Sequence, residues 1–387
     1  MYNVKLLNKI AAVGTDNLDR ELYNIGENVE NPEAIMVRSA VMHDMEFGPE
    51  LLCIARAGAG VNNIPVDRCA KAGIVVFNTP GANANGVKEL TICAILLAAR
   101  KITAGVEWAK TLQGNPDAAK AVEKGKSAFA GTEIRGKALG VIGLGAIGGM
   151  VANTAVDLGM NVMGYDPYLS VEAAWNIKNN VQKAASYEDV FKKSDYITLH
   201  IPATPQTKNI INAQSLATMK DGVKIINLSR ADLVNAADLK EALASGKVSA
   251  YVTDFPTPEL IGVDGVVAIP HLGASTEESE DNCAVMAARE LDQYLRYGNI
   301  KNSVNFPNVS IPYTGAARVC LFHENVPDMI AQISGAFSSQ GVNIENLLDQ
   351  ARGETAYTIV EINGDVPAAV VDKLNAINGV YRVRVIK

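Results

Sequence analysis

The chain has 387 residues, 48% hydrophobic, 20% charged and 6% aromatic, with a formal net charge of −7. That length supports two or three domains with cores of their own, and the acidic balance argues against a broad nucleic-acid surface. No apolar run nears the ~20 residues of a membrane span; the longest, residues 90–99, reads as a buried helix, so no membrane partner is expected.

The start, Met1-Tyr2-Asn3-Val4-Lys5, has no basic region ahead of an apolar core, so no secretion signal is expected. Short apolar runs at 4–7, 34–37, 52–55 and 74–77, separated by polar or helical stretches, predict parallel strands of a first α/β layer. Asn85 caps a predicted helix running to about residue 101. Residues 138–142 then form a strand that feeds Gly143-Leu144-Gly145-Ala146-Ile147-Gly148, a helical stretch to Leu158, and a second apolar run ending in Gly164-Tyr165-Asp166-Pro167. Strand, Gly-x-Gly-x-x-Gly, helix, strand and acid form a dinucleotide fingerprint in its required context. Gly143 makes the tight turn, Gly145 admits a pyrophosphate, and Gly148 lets helix and strand pack closely. The amides of Ala146 and Ile147 open the helix toward the phosphates. Asp166 accepts hydrogen bonds from ribose hydroxyls and repels a 2′-phosphate, so the expected cofactor is NAD.

Runs at 196–199, 224–228, 250–252 and 266–269 alternate with helical patterns at 187–192 and 236–244, which continues a doubly wound sheet. A long helix from 276 to 297 leads away. With the helix at about 85–101 it is expected to cross between a substrate-binding domain (1–88 and 285–306) and an NAD-binding domain (89–284), with the active site in the cleft. Residues 305–315 carry Pro307, Pro312 and Gly315 and read as a linker. Strand at 318–322, helix at 327–340, strands at 344–351 and 355–362, helix at 367–377 and strand at 380–386 give β-α-β-β-α-β, a ferredoxin-like third domain over 316–387. The five cysteines (Cys53, Cys69, Cys93, Cys283 and Cys320) show no Cys-x-x-Cys spacing. They read as reduced thiols of a cytoplasmic protein without a zinc site, and no metal is expected.

Among the four histidines, His271 follows a strand and precedes the second long helix, at the mouth of the sheet where ligands bind. Alone it is either a loop histidine or a catalytic one. His200 and Pro202 end another strand in a loop expected to lie over the nucleotide, His43 reads as surface, and His323 belongs to the third domain. Arg230 ends the run 224–228, beside Leu228 and Ser229; its planar fork can grip a carboxylate or simply form an ion pair. Asp254 and Glu259 follow the next strand, and Gly273 and Ala274 follow His271.

Together, the fingerprint, Leu228-Ser229-Arg230, Asp254 with Glu259 five residues on, and Pro270-His271-Leu272-Gly273 resemble the NAD-dependent D-2-hydroxyacid dehydrogenases. Residues 36–40, 56–64 and 131–137 resemble those members that act on 3-phosphoglycerate. His323-Glu324-Asn325-Val326-Pro327 and Gln340-Gly341-Val342-Asn343-Ile344 are similar to an ACT regulatory module. The resemblance implies His271 as acid/base, Arg230 as carboxylate clamp and Glu259 as partner of the imidazole. It implies cofactor contacts from Gly143, Gly145, Ala146, Ile147, Gly148, Asp166, His200, Pro202, Leu228, Ser229, Asp254, Gly273 and Ala274. Substrate contacts are implied for Arg38, Arg56, Gly58, Ala59, Gly60 and Lys126, and an L-serine effector for His323, Asn325 and Asn343, in a homo-oligomer. Two departures stand out: the family's Asp-Val-Phe-x-x-Glu-Pro is here Asp254-Phe255-Pro256-Thr257-Pro258-Glu259-Leu260, and its Pro-Gly after the ACT histidine is Pro327-Asp328. A dehydrogenase for glycerate or hydroxypyruvate and an NAD-sensing corepressor are the alternative readings.

Overall fold

The computed structural model describes residues 1–314 and 317–386, so Gly315 of the expected linker and residues 316 and 387 of the expected third domain lie outside the described residues. The chain divides into two compact units, Met1–Asn83 with Glu277–Lys387, and Ala84–Thr276. The divisions fall at 83/84 and 276/277, ahead of the expected 88/89 and 284/285. Each long helix, Ala84–Ala99 and Glu277–Tyr297, belongs whole to one unit.

In the first unit β1 (Tyr2–Leu7), β2 (Tyr23–Gly26), β3 (Ala34–Val37), β4 (Cys53–Arg56) and β5 (Val75–Phe77) form a parallel sheet in the order β2-β1-β3-β4-β5. The edge strand β2 escapes the sequence reading because Asn24 and Gly26 interrupt its apolar run. Against this sheet lies the helix Glu277–Tyr297, which buries Cys283, Ala284, Ala287, Ala288, Leu291, Tyr294 and Leu295 at helical spacing.

The C-terminal segment forms β13 (Ala317–Glu324), β14 (Ile344–Arg352), β15 (Thr355–Ile362) and β16 (Val380–Ile386), an antiparallel sheet in the order β14-β15-β13-β16. The helices Met329–Ser338 and Ala368–Asn375 complete the ferredoxin-like arrangement. Asp328 opens the first of these helices at φ 68°, a left-handed conformation that costs a non-glycine residue roughly 1 kcal/mol.

This sheet is part of the first unit's core. Cys320, Phe322 and Tyr357 share one apolar cluster with Phe77, Tyr294 and Phe306, and the Phe322 ring lies 4.6 Å from Tyr357 and 4.8 Å from Phe306. Arg382 donates to the Leu51 carbonyl, Arg384 to those of Tyr294 and Leu295, and the Tyr357 hydroxyl to that of Gly298.

Beneath the sheet, Arg318 is fully buried. Its Nε donates to Glu361 at 2.7 Å, and its other nitrogens reach the carbonyls of Tyr297, Ile311 and Pro312 and the side chain of Asn299. Asn346 bonds the second Glu361 oxygen, so both charges are satisfied.

The second unit is a parallel sheet of β6 (Ala138–Ile142), β7 (Asn161–Tyr165), β8 (Gln182–Lys183), β9 (Tyr196–Leu199), β10 (Val223–Asn227), β11 (Val248–Thr253) and β12 (Val266–Ala268), in the order β12-β11-β10-β9-β6-β7-β8. The strand order reverses between β6 and β9, the switch point at which doubly wound folds bind ligands. Two helices that the sequence reading passed over, Ile102–Lys110 and Ala118–Gly125, are short and bury no residue. No helix among the described residues is long and apolar enough to cross a membrane.

Arg318→Met should lower stability by about 3–5 kcal/mol, because Glu361 and three carbonyls lose their buried donor. Thermal unfolding read by circular dichroism measures it, and a melting temperature unchanged from the parent would contradict this account.

Candidate active site

The fingerprint is shaped by backbone packed on backbone. A Cβ at Gly148 would lie 1.9 Å from the Gly143 carbonyl oxygen, and one at Gly143, whose φ is +88°, would lie 2.4 Å from that of His200. Neither position has room for a side chain. Gly145 differs, because nothing lies within 4 Å of a Cβ there. It caps the twelve-residue helix Ala146–Asp157 and presents an open face at the helix's positive end.

Asp166, at the end of β7, accepts the Leu144 N–H and the Tyr168 N–H, both at 2.9 Å. Each oxygen keeps lone pairs for a further donor. A cavity of about 650 Å³ lined by Leu144, Tyr165, Asp166, Pro167, Ile177 and Ala184 opens beside it, and another of about 500 Å³ lies along Gly145, Ala146, Ser170 and Asn176. An open glycine face at a helix start with an anchored carboxylate beside it fits the phosphates and ribose of a dinucleotide.

The His200 Nε2 bonds Thr198 Oγ1 at 2.9 Å and its Nδ1 is buried with no partner among the described residues. Burial pushes its pKa down to about 4, so near neutral pH it is an uncharged support behind Gly143 and Gly148. Pro202 follows at the start of the loop, where its carbonyl accepts the Thr207 hydroxyl.

At the ends of β10 and β11 a second group converges. Asn227 is fully buried: its amide donates to the Arg230 carbonyl at 2.8 Å and to the Tyr251 hydroxyl, and its oxygen accepts the Ser229 N–H. Thr253 donates to the Asn227 carbonyl at 2.9 Å. Ser229 reaches across to the Leu199 carbonyl, and Leu228 is buried. The turn bearing Arg230 is therefore fixed from both sides. The Arg230 guanidinium is exposed, bonded to the Ser229 carbonyl, and lies 5.7 Å from the centre of the Phe255 ring. The exposed His271 imidazole lies 4.4 Å from the same ring, tilted by 45°.

Asp254 is buried, with Oδ2 accepting the Gly273 N–H at 3.1 Å and Oδ1 unpartnered among the described residues. Desolvation raises its pKa, opposed by that hydrogen bond and by the charge of His271. Ala274 follows, half-buried. Glu259 is exposed; its carboxyl is held below the usual range by its own backbone N–H and by Thr257, and no hydrogen bond joins it to His271 among the described residues. Lys126, also in this unit, is exposed and paired with Glu123.

In the first unit Arg56 is half-buried, with Nε donating to the Arg38 carbonyl at 3.2 Å and its guanidinium folded over Gly58, where a Cβ would meet Nη1 at 1.8 Å. Burial lowers its pKa, yet a guanidinium remains cationic. Arg56 has no carboxylate partner among the described residues, whereas Arg38 pairs with Glu280 at 2.5 Å. Ala59 and Gly60 continue the turn, and Asn78 donates to the Ala59 carbonyl.

In the C-terminal sheet His323 is buried, and both ring nitrogens are engaged. Nδ1 bonds the Glu324 carbonyl, and Nε2 bonds Thr358 at 2.8 Å and Asp349 at 3.2 Å. Asn325 bonds the Gly353 carbonyl, and Asn343 bonds Glu345, both at the surface. Asn227, Thr253 and Phe255 are the residues the sequence reading missed. The polar end of Lys224-Ile225-Ile226-Asn227 was the available signal, since a buried polar side chain must be bonded to something.

A family model described as "D-isomer specific 2-hydroxyacid dehydrogenase, NAD binding domain" matches residues 92–273. The chain is 33% identical to the D-3-phosphoglycerate dehydrogenase of Escherichia coli K12, covering 99% of this chain and 95% of that protein. It is 37% identical to the D-3-phosphoglycerate dehydrogenase of Methanocaldococcus jannaschii over 73% of this chain, and spans about half (53%) of that relative's length. Among solved structures it resembles a cofactor (NAD+)-bound 3-phosphoglycerate dehydrogenase of Entamoeba histolytica, with a TM-score of 0.61 and 24% identity over 79% of this chain and 98% of that one.

The two glycines should fail differently when replaced. Gly148→Ala forces the helix start off the Gly143 carbonyl and should lower both melting temperature and NADH affinity. Gly145→Ala meets nothing in the protein, so it should melt as the parent does yet bind NADH at least about tenfold more weakly, a loss of roughly 1.4 kcal/mol. Fluorescence titration of NADH beside a melting curve separates them, and parental affinity in Gly145→Ala would deny that this face meets the cofactor.

Proposed function

Because the chain belongs to the D-isomer specific 2-hydroxyacid dehydrogenases, a family of NAD-dependent oxidoreductases, we propose that it oxidises D-3-phosphoglycerate to 3-phosphohydroxypyruvate, the opening step of L-serine biosynthesis. The observation that carries the substrate assignment is Arg56, a half-buried guanidinium without a carboxylate partner among the described residues. An unneutralised planar cation suits a phosphate dianion, and an uncharged substrate tail gives it nothing to bind. Arg38, paired with Glu280, and Lys126 of the second unit, paired with Glu123, are further candidate cations, and past Gly58 the backbone of Ala59 and Gly60 offers N–H groups.

When bound, NAD would supply the hydride acceptor. The amides of Gly145, Ala146, Ile147 and Gly148, beyond the turn at Gly143, would hold its pyrophosphate, Asp166 its adenosine ribose, and Asp254, Gly273 and Ala274 its nicotinamide end, with His200, Pro202, Leu228 and Ser229 supporting the rim. Arg230 grips the α-carboxylate and turns the C2 carbon toward the cofactor. His271, neutral at the start, takes the C2 hydroxyl proton as the C2–H bond gives up its hydride; in reduction the imidazolium returns that proton. Arg230 also stabilises negative charge developing on the oxygen.

The C-terminal sheet is read as an ACT-type module of a homo-oligomer, with L-serine as effector. Asn325 and Asn343 are its surface ligands, while His323 braces the strands that carry them. Such an effector would act by restraining a conformational step of the catalytic cycle.

Turnover with D-3-phosphoglycerate and NAD, followed at the NADH absorbance, tests the assignment; activity on glycerate alone would overturn it. Arg56→Ala should raise KM for 3-phosphohydroxypyruvate at least about tenfold, the scale of one lost charge-assisted bond, and leave KM for hydroxypyruvate nearly unchanged. An equal rise for both substrates would make Arg56 structural. L-serine at millimolar concentration should lower the initial rate, and an unaffected rate would remove it as effector.

A further inference from the structure

Glu259, the carboxylate expected to steady His271, is exposed, and no hydrogen bond joins the two among the described residues. The group that does touch the imidazole is Phe255, whose ring centre lies 4.4 Å from that of His271 and 5.7 Å from the Arg230 guanidinium carbon. One ring thus meets both side chains that the proposed chemistry needs. The ring is itself well fixed. Pro256 restricts the backbone of Phe255 to extended conformations. The Phe255 N–H donates to Thr253 Oγ1 at 3.0 Å, Thr253 donates to the Asn227 carbonyl, and Asn227 donates to the Arg230 carbonyl. Thr253 and Asn227 are both fully buried, so the platform and the arginine turn share one rigid hydrogen-bonded frame.

We propose that Phe255 is a positioning residue of this site, holding the His271 imidazole and the Arg230 guanidinium in register through its ring. The inference rests on the reading of His271 and Arg230 given above. The negative face of an aromatic ring attracts cations. It therefore draws the Arg230 guanidinium down beside the imidazole that packs against the same ring. The spacing of the two groups is then set by a rigid side chain instead of by two flexible ones. The charged groups bearing on His271 within the second unit are Asp254 behind it and Arg230 across the ring. Lys88 and Glu89, on the helix Ala84–Ala99 that packs on β10 and β11, pair with each other at 3.6 Å.

The test uses the full-length protein and reads kcat and KM for the 2-oxo acid separately, with NADH affinity beside them. Phe255→Leu keeps an apolar side chain of similar volume but no π face. It should raise KM for the 2-oxo acid severalfold while NADH affinity and melting temperature hold, and Phe255→Tyr should restore KM. An unchanged KM in Phe255→Leu, or no rescue by Phe255→Tyr, overturns the proposal. His271→Ala separates this from the underlying reading: it should lose turnover by about 100-fold or more. Full turnover there would refute the role of His271 in the chemistry, whatever KM Phe255→Leu shows.

Discussion

The second unit depends on a contact between backbones. At the switch point, β6 and β9 lie side by side, and their ends bring the Gly143 amide region against the His200 carbonyl while the helix Ala146–Asp157 starts directly above. Only hydrogen atoms fit in the two gaps. Because the helix can descend that far, its first turn sits at the sheet rim, and Asp166 can reach the Leu144 N–H from the neighbouring strand. Any β-carbon at Gly148 would lift the helix and separate these groups. The neutral state of His200 follows from the same crowding, because burial strips the imidazolium of its solvent.

In the first unit the governing interaction is electrostatic. Arg318 has no access to water and is matched by Glu361, three carbonyls and an amide oxygen. A lone buried charge would be prohibitive, so the residues that satisfy it come as a set. They are drawn from the end of the helix Glu277–Tyr297, from the segment around Ile311 and from β15. Glu290, on the same helix, shows the opposite solution. Burial raises its pKa to about 8, with Asn302 bonding one oxygen, so it is accommodated by staying protonated near neutral pH.

What the sequence made legible was local. The fingerprint and its acid lie in one βαβ unit, and Arg230 and His271 announce themselves as polar residues at the ends of apolar runs. Glu259 shows the limit of such reading. Its spacing from Asp254 follows the family pattern, but Pro256 and Pro258 fix the backbone between them, and a side chain's direction cannot be taken from an offset. Phe255, Thr253 and Asn227 act through contacts between strands, and no periodicity within one segment encodes these. The C-terminal sheet was legible as β-α-β-β-α-β but not as part of a shared core. The hint was in β13, where Val319-Cys320-Leu321-Phe322 is apolar on both faces; a strand with one wet side alternates.

That shared core bears on the order in which the chain can be completed. The second unit is one continuous stretch and has all seven strands by Ala268. The first unit begins at Tyr2 yet needs Phe322 and Tyr357 to close the cluster around Phe77 and Tyr294. During synthesis from the N-terminus, domains form as their segments emerge. The middle of this chain can therefore settle while its beginning still waits for its end, with apolar surface exposed for most of translation.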